Sequence, residues 1–374
     1  MYRNDKILEE IEKLEYGKPR IAALQKAVQM ADEHKDLPYM LGFRLDICRE
    51  STFYGDSLDQ LVIFPEVLSL IDQHPDIPIT RKWDGIYESG IDRVLHIYKW
   101  VLGDCISFYQ IPLKDCEKFF QDFKERNMAY GYNLKPYYEL MYCFYKYIDE
   151  TLADYYFQEY EKLETDGNGN CKACNRNFEI QYYLNKGNET KAKQLAKDIE
   201  NHTLNCGGNG ENSAWRQLKI TYLIHYLEQG DLKQATGIME EILKNNQYDK
   251  KLTMFNNWHI FLWYYTHIDI GKALQIYKKY WKKWQQEREP YKKFYYFVDN
   301  ILFFRELKKQ RKGEKIKLDL DDTMPIFRED RTYRIVDLLE FYHQQAEELA
   351  RRFDERNGTC FYQKELEWYL NKEI

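Results

Sequence analysis

One turn recurs along this chain and restricts its fold more than any other feature. Gly17-Lys-Pro-Arg-Ile-Ala22, Gly187-Asn-Glu-Thr-Lys-Ala192 and Gly230-Asp-Leu-Lys-Gln-Ala235 share a pattern, with weaker copies at Gly55–Gln60, Ile148–Ala153 and Ile268–Ala273. Each turn separates two apolar-periodic stretches. Glycine lets the first stretch end in a left-handed turn. Alanine five residues on lets a second helix pack close to the first. The spacing therefore predicts antiparallel helical hairpins, which bury their apolar faces by stacking on one another. From Ala153 through Ala192 and Ala235 to Ala273 the steps are 39, 43 and 38 residues.

Proline is scarce, glycine falls between periodic segments, and β-branched alternation is nearly absent, so an all-α chain is expected. The helical pairs are read at about 3–16 with 20–34, 37–53 with 57–74, 83–109 with 113–127, 136–148 with 152–163, 175–184 with 190–203, 213–229 with 232–245, 252–267 with 270–287, and 291–309 with 333–355. A short helix at 360–371 closes the chain. Residues 1–165 form the N-terminal hairpins and 166–374 the C-terminal ones, in one continuous array. The insertion at 311–332 joins a basic run, Lys308-Lys-Gln-Arg-Lys312, to the acidic Asp319, Asp321 and Asp322. It either folds back through charge pairing or stays mobile.

The chemistry gathers between 171 and 206. Cys171-x2-Cys174 offers two thiolates from one turn, and His202-x3-Cys206 offers an imidazole and a third thiolate. Zinc takes four such ligands in a tetrahedron. The intervening hairpin returns its end to its beginning, so a structural zinc clip of Cys171, Cys174, Cys206 and His202 is geometrically permitted. Three other readings stay open: unligated cysteines, a redox pair at 171 and 174, or a three-cysteine site with another fourth ligand. Cys48, Cys105, Cys116 and Cys143 lie in apolar helical stretches and read as small buried hydrophobes.

The net charge is −6, which gives no global reason for binding nucleic acid or an anionic membrane. The stretch 277–293 is the local exception. Lysines 278, 279, 282, 283, 292 and 293 alternate with Tyr277, Tyr280, Trp281, Trp284 and Tyr291. It reads as an amphipathic helix with solvated lysines, or as a surface gripping RNA or single-stranded DNA. The N-terminus lacks the apolar core of a signal peptide, and no apolar run approaches the roughly 18 residues that span a bilayer. A cytoplasmic location without disulfides is expected.

No nucleophile elbow, phosphate-binding loop, dinucleotide fingerprint or H-E-x-x-H pattern occurs. His343 and Glu347, at i and i+4, read as a surface pair. Asp319, Asp321 and Asp322 read as a solvated loop. An enzyme is not expected.

The recurring turns resemble the tetratricopeptide-repeat (TPR) superfamily, with units longer than its roughly 34 residues. That resemblance implies a right-handed superhelical solenoid whose concave groove binds a protein or peptide. A second resemblance rests on Cys171, Cys174 and Cys206 followed by Phe353, Asp354, Arg356, Asn357, Gly358 and Thr359. This CxxC…C and Phe-Asp-x-Arg-Asn-Gly-Thr pattern is similar to a family of bacterial TPR-type proteins of no established function. It covers about 171–359 and implies no reaction. Lys172 stands where the family often has proline, Gly-Gly-Asn-Gly follows Cys206 where it has a shorter acidic turn, and His202 lies outside the pattern. The expected role is a scaffold for a protein or peptide partner. A peptide-sensing regulator, similar in size and repeats to Rap-type phosphatases, and a nucleic-acid-associated factor using 277–293 are the alternatives.

Overall fold

The computed structural model describes residues 3–54, 57–78, 90–206, 214–245, 257–310 and 313–372. The turn at Gly55-Asp56, the starts of the helices expected at 83, 213 and 252, Glu88-Ser89 and the Gly207–Gly210 loop lie outside them. The regular secondary structure of the described residues is helical apart from one two-stranded ribbon. None of these helices is long and apolar enough to cross a membrane.

The chain divides into two compact units. The first comprises Met1–Gly169, Glu287–Lys292 and Arg352–Phe361. It contains α1 (Asn4–Glu12), α2 (Lys18–Glu33), α3 (Leu37–Tyr54), α4 (Ser57–Gln73), α5 (Gly90–Ile106), α6 (Leu113–Ala129), α7 (Lys135–Tyr145) and α8 (Glu150–Glu161). Helices α2 to α4 pack each on the next, and α5 packs on α3, α4, α6 and α7. Its main core joins Leu45, Phe64, Val94, Tyr98, Phe123 and Phe144. Cys48, Cys105 and Cys116 are buried here, and burial pushes the Cys116 thiol up to about 11, so they pack as hydrophobes. Cys143 is partly buried.

The second unit comprises Asn170–Gln286, Lys293–Arg351 and Tyr362–Ile374. Its helices begin with α9 (Lys172–Asn185), α10 (Glu189–Glu200), α11 (Ala214–Gln229) and α12 (Leu232–Lys244). Next come α13 (Trp258–Ile268), α14 (Ile270–Gln285) and α15 (Pro290–Gln310). The last two are α16 (Ile335–Asn357) and α17 (Phe361–Asn371). The pairs α9/α10, α11/α12 and α13/α14 pack as hairpins, and α11 also packs on α9 and α10.

The hairpin turns have a shared construction. Asp149, Asn188, Asp231 and Asp269 each accept a hydrogen bond from the backbone N–H three residues on, at 3.0, 3.1, 3.0 and 3.1 Å. Each carboxylate or amide oxygen thus satisfies a helix-start donor that would otherwise be orphaned. The fourth residue after each cap is Ala153, Ala192, Ala235 or Ala273, all buried. Gly187 and Gly230 precede two of these caps at φ +70° and +71°.

The first turn departs from this register. Gly17 itself occupies the cap position of α2, so Ile21 is buried and Ala22 faces solvent. Gly17 has φ +86°, and a Cβ there would meet the Tyr54 carbonyl oxygen at 2.6 Å. Its N–H donates to the Glu50 carboxylate at 2.6 Å.

The insertion contains strands that the helical reading did not anticipate. β1 (Lys315–Lys317) pairs antiparallel with β2 (Thr332–Arg334), Ile316 opposite Tyr333. The segment Lys315-Ile-Lys-Leu-Asp-Leu320 alternates, and Ile316, Leu318 and Leu320 are buried. Apolar alternation and a backbone ladder fold the insertion back, while Asp319 pairs with Arg331 at 3.6 Å. Asp321 accepts from the Thr323 N–H and hydroxyl at 3.0 and 2.9 Å, as a turn residue does.

The Phe353–Thr359 motif ends α16 and belongs to the first unit. Phe353 is buried edge-on to Tyr109, with ring centroids 5.6 Å apart. The Arg356 guanidinium donates to the carbonyls of Ile106 and Phe108, at 3.3 and 3.4 Å, where α5 ends. A cation at a helix C-terminus also meets the negative end of the helix dipole. Gly358 has φ +67° and the Thr359 N–H returns to the Asp354 carbonyl at 3.1 Å, closing the helix with a Schellman turn. The Thr359 hydroxyl bonds Asp354 at 3.3 Å instead of capping the final helix, which begins at Phe361.

Candidate metal centre

Two helix ends build the site. Cys171 is the N-cap of α9, and its sulfur accepts the Cys174 N–H at 3.4 Å. That places both sulfurs of the CxxC segment on the first turn. Arg176, one turn's length further on, bonds the Leu195 carbonyl at 3.4 Å and pairs with Asp198 at 3.6 Å, tying α9 to α10. Ile180, Leu184, Ala192, Ala196 and Ile199 are buried in the same hairpin.

The far end of α10 turns the chain back. His202 adopts φ +57°, the Leu204 N–H and Thr203 hydroxyl both reach the Asp198 carbonyl at 2.9 Å, and Cys206 follows. The result is that the Cys174 and Cys206 sulfurs stand 3.9 Å apart. All three sulfurs of Cys171, Cys174 and Cys206 lie within 4.8 Å of one another. Sulfurs on a tetrahedral zinc with 2.3 Å bonds stand about 3.8 Å apart, so the trio needs only a small closure to hold a metal ion.

His202 is exposed and is not among the gathered ligand atoms. Its ring stacks loosely on Trp215, with centroids 6.4 Å apart and planes 28° from parallel. Among the described residues, no fourth histidine, cysteine or carboxylate joins the three sulfurs.

The electrostatics of the trio favour a cation. Hydrogen bonds from the Cys174 and Cys206 thiols, then from the N–H groups of Cys174 and Ala173, hold Cys171 as a thiolate far below the ordinary thiol range. The same neighbours, with burial, hold the proton on Cys174. Three thiolates this close repel one another in the absence of a metal. Binding a divalent ion would release the retained protons, which makes affinity rise with pH.

The interleaved stretch of α14 separates by face. Tyr277, Tyr280 and Trp281 are buried, whereas Lys278, Lys279 and Lys282 are exposed. Tyr277 and Tyr280 are therefore closed to base stacking, Trp281 is only 4% exposed, and the lysines face solvent. The Trp284 side chain lies outside the described atoms. His343 pairs with Glu347 at 3.3 Å on the surface of α16.

A second titratable cluster, not foreseen from the sequence, lies in the first unit. Ser57 donates to Glu289 at 2.5 Å, Lys292 donates to the same oxygen at 2.5 Å, and the Gln60 amide donates to Asp104. Burial, then the negative charge of Glu289, pushes the Asp104 carboxyl up to about 7. Asp104 and Glu289 are so far apart in the chain that no local spacing announces them.

No protein-family model, curated protein or solved structure matches the chain.

Proposed function

We propose that this chain is a non-enzymatic, TPR-like scaffold that binds a protein or peptide partner, with a zinc ion pinning the α9/α10 hairpin through Cys171, Cys174 and Cys206. The repeated cap-and-alanine turns support a TPR-like build of antiparallel helical hairpins. The observation that carries the binding role is a depression of about 330 Å3 in the first unit. Tyr16, Arg20, Arg49, Glu50 and Tyr54 line it. Tyr16 and Tyr54 stack at 4.4 Å while remaining 58% and 56% exposed, and the Arg20 guanidinium lies 3.7 Å from the Tyr16 ring centroid. Rigid aromatics beside arginine are the composition of interface anchors. The backbone holds the arginine of the group, because Arg20 donates to the Leu14 and Glu12 carbonyls at 2.9 Å each.

A photo-crosslinking residue at the neighbouring Phe53 tests the binding role. A defined partner captured by the wild-type depression and lost on both Tyr16→Ala and Arg20→Ala supports it. Capture indifferent to both substitutions overturns it. Elemental analysis of untagged protein tests the clip. About one zinc per chain, absent after Cys174→Ser, is expected, and metal-free protein of unchanged stability would remove the clip.

A further inference from the structure

In the second unit the exposed lysines of α14 share a cleft with residues of the ribbon segment. Lys278, Lys279 and Lys282 from the helix, Lys317 from β1 and Arg331 from the turn before β2 line a cleft of about 510 Å3. Asp319 also lines it, paired with Arg331 at 3.6 Å but 80% exposed. The Thr323 N–H and hydroxyl hold the Asp321 carboxyl below the ordinary range, and the nearby Lys282 charge adds to that. Five cations thus converge from three segments against two nearby solvent-facing carboxylates. Gathering like charges costs folding free energy, and an anion in the cleft would recover it.

The cleft is positioned by its framework. The Leu318 N–H bonds the Arg331 carbonyl at 3.1 Å, and Gln285 at the end of α14 bonds Thr323 at 2.5 Å. Arg331 has φ +54°, a conformation that glycine adopts without strain and arginine does not. An arginine there has a side chain worth keeping. Its guanidinium lies 4.6 Å from the Phe327 ring centroid and donates to the Leu320 carbonyl, which aims it.

We infer that this cleft binds a compact oligophosphate, either free or as the tail of a nucleotide. Guanidinium and ammonium groups together match closely spaced phosphates through charge-assisted hydrogen bonds. The volume suits a small ligand. Single-stranded nucleic acid fits less well, because Tyr277 and Tyr280 are buried and Trp281, though it lines the cleft, is only 4% exposed, too little to offer a base a stacking platform.

Calorimetry on the full chain at low salt, with tripolyphosphate and separately with ATP, tests the inference. Saturable one-to-one binding is expected, weakening as salt rises. Lys317→Gln and Arg331→Gly should each weaken it about tenfold, the loss of one charge-assisted contact. Arg331→Gly also relieves the left-handed strain, so it separates ligand loss from misfolding. Lys197→Gln, on the exposed face of α10, should leave affinity unchanged. Binding of ATP as tight as that of tripolyphosphate identifies a nucleotide tail, and binding of tripolyphosphate alone identifies the free anion. No saturable binding, an equal loss in the Lys197 variant, or RNA binding that grows with length and resists tripolyphosphate competition overturns the inference.

Discussion

The Cys174 sulfur stands 3.9 Å from that of Cys206, across a hairpin that separates them by 32 positions. The contact depends on two helix ends: the cap at Cys171, which begins α9, and the left-handed turn at His202, which follows α10. Neither end can shift without parting the sulfurs.

Metal removal should therefore loosen this hairpin first. In zinc-buffered solution, Cys174→Ser or a strong chelator should lower stability by about 3–4 kcal/mol, the linkage free energy of a ligand held at several hundred times its dissociation constant. Calorimetric melting with and without chelator measures it. Chelator-insensitive melting of the wild type would contradict the prediction.

His202→Gly should retain the metal. The ring stacks on Trp215, and glycine suits the φ of +57° better than histidine does. Bound zinc should be unchanged and stability should move by no more than about 1 kcal/mol. Loss of zinc in this variant would make the imidazole the fourth ligand.

The turn caps should be separable from the alanines behind them. Asp231→Ala removes an acceptor for the Gln234 N–H and should cost about 1 kcal/mol. Ala235→Leu instead forces a larger side chain between closely packed helices and should cost about 1–3 kcal/mol. Urea denaturation of the two variants should rank them in that order. An Ala235→Leu chain as stable as wild type would deny the close approach.

Asp104 gives the first unit a pH response. Its carboxyl keeps a proton up to about pH 7 when folded, against 3.8 for the ordinary group. The folded state binds the extra proton in that window, so the associated stability is complete below about pH 4 and disappears as pH rises through 7. Asp104→Asn is permanently neutral and should gain on the wild type as pH is raised from 5 to 8. Melting temperatures of the pair across that range check the sign, and a constant difference would mean that Asp104 is ionised throughout.

Arg356→Ala should destabilise the first unit by about 1.5–3 kcal/mol, because the Ile106 and Phe108 carbonyls lose a charged donor at the end of α5. Hydrogen exchange in α5 should accelerate with it.

Much of this fold could be read from local chemistry. The glycine and alanine spacing found the hairpins because it reflects a steric need that recurs at every turn. The caps at Asp149, Asn188, Asp231 and Asp269 are equally local, since a carboxylate or amide at a helix start accepts an orphaned N–H. At Gly17 the pattern misled by one residue, since that glycine caps the second helix instead of ending the first. The Lys315–Leu320 alternation was visible too, but a short strand is easily lost in a chain dominated by helical periodicity. The cysteine trio was readable because a hairpin brings its ends together. The positions of His202 and of Asp104 beside Glu289 were not. The first depends on the sign of one backbone dihedral and the second on long-range packing.

Residues 352–361 complete a unit whose other segments are 1–169 and 287–292. A ribosome delivers them only after the second unit's segments 170–286 and 293–351 have emerged. Until then α5 ends without the guanidinium of Arg356, and Tyr109 lacks Phe353 at its edge. The first unit is thus completed only after the intervening segments of the second have been made. Loss of the chain from 352 onward would remove a segment remote in sequence but part of the first unit in structure.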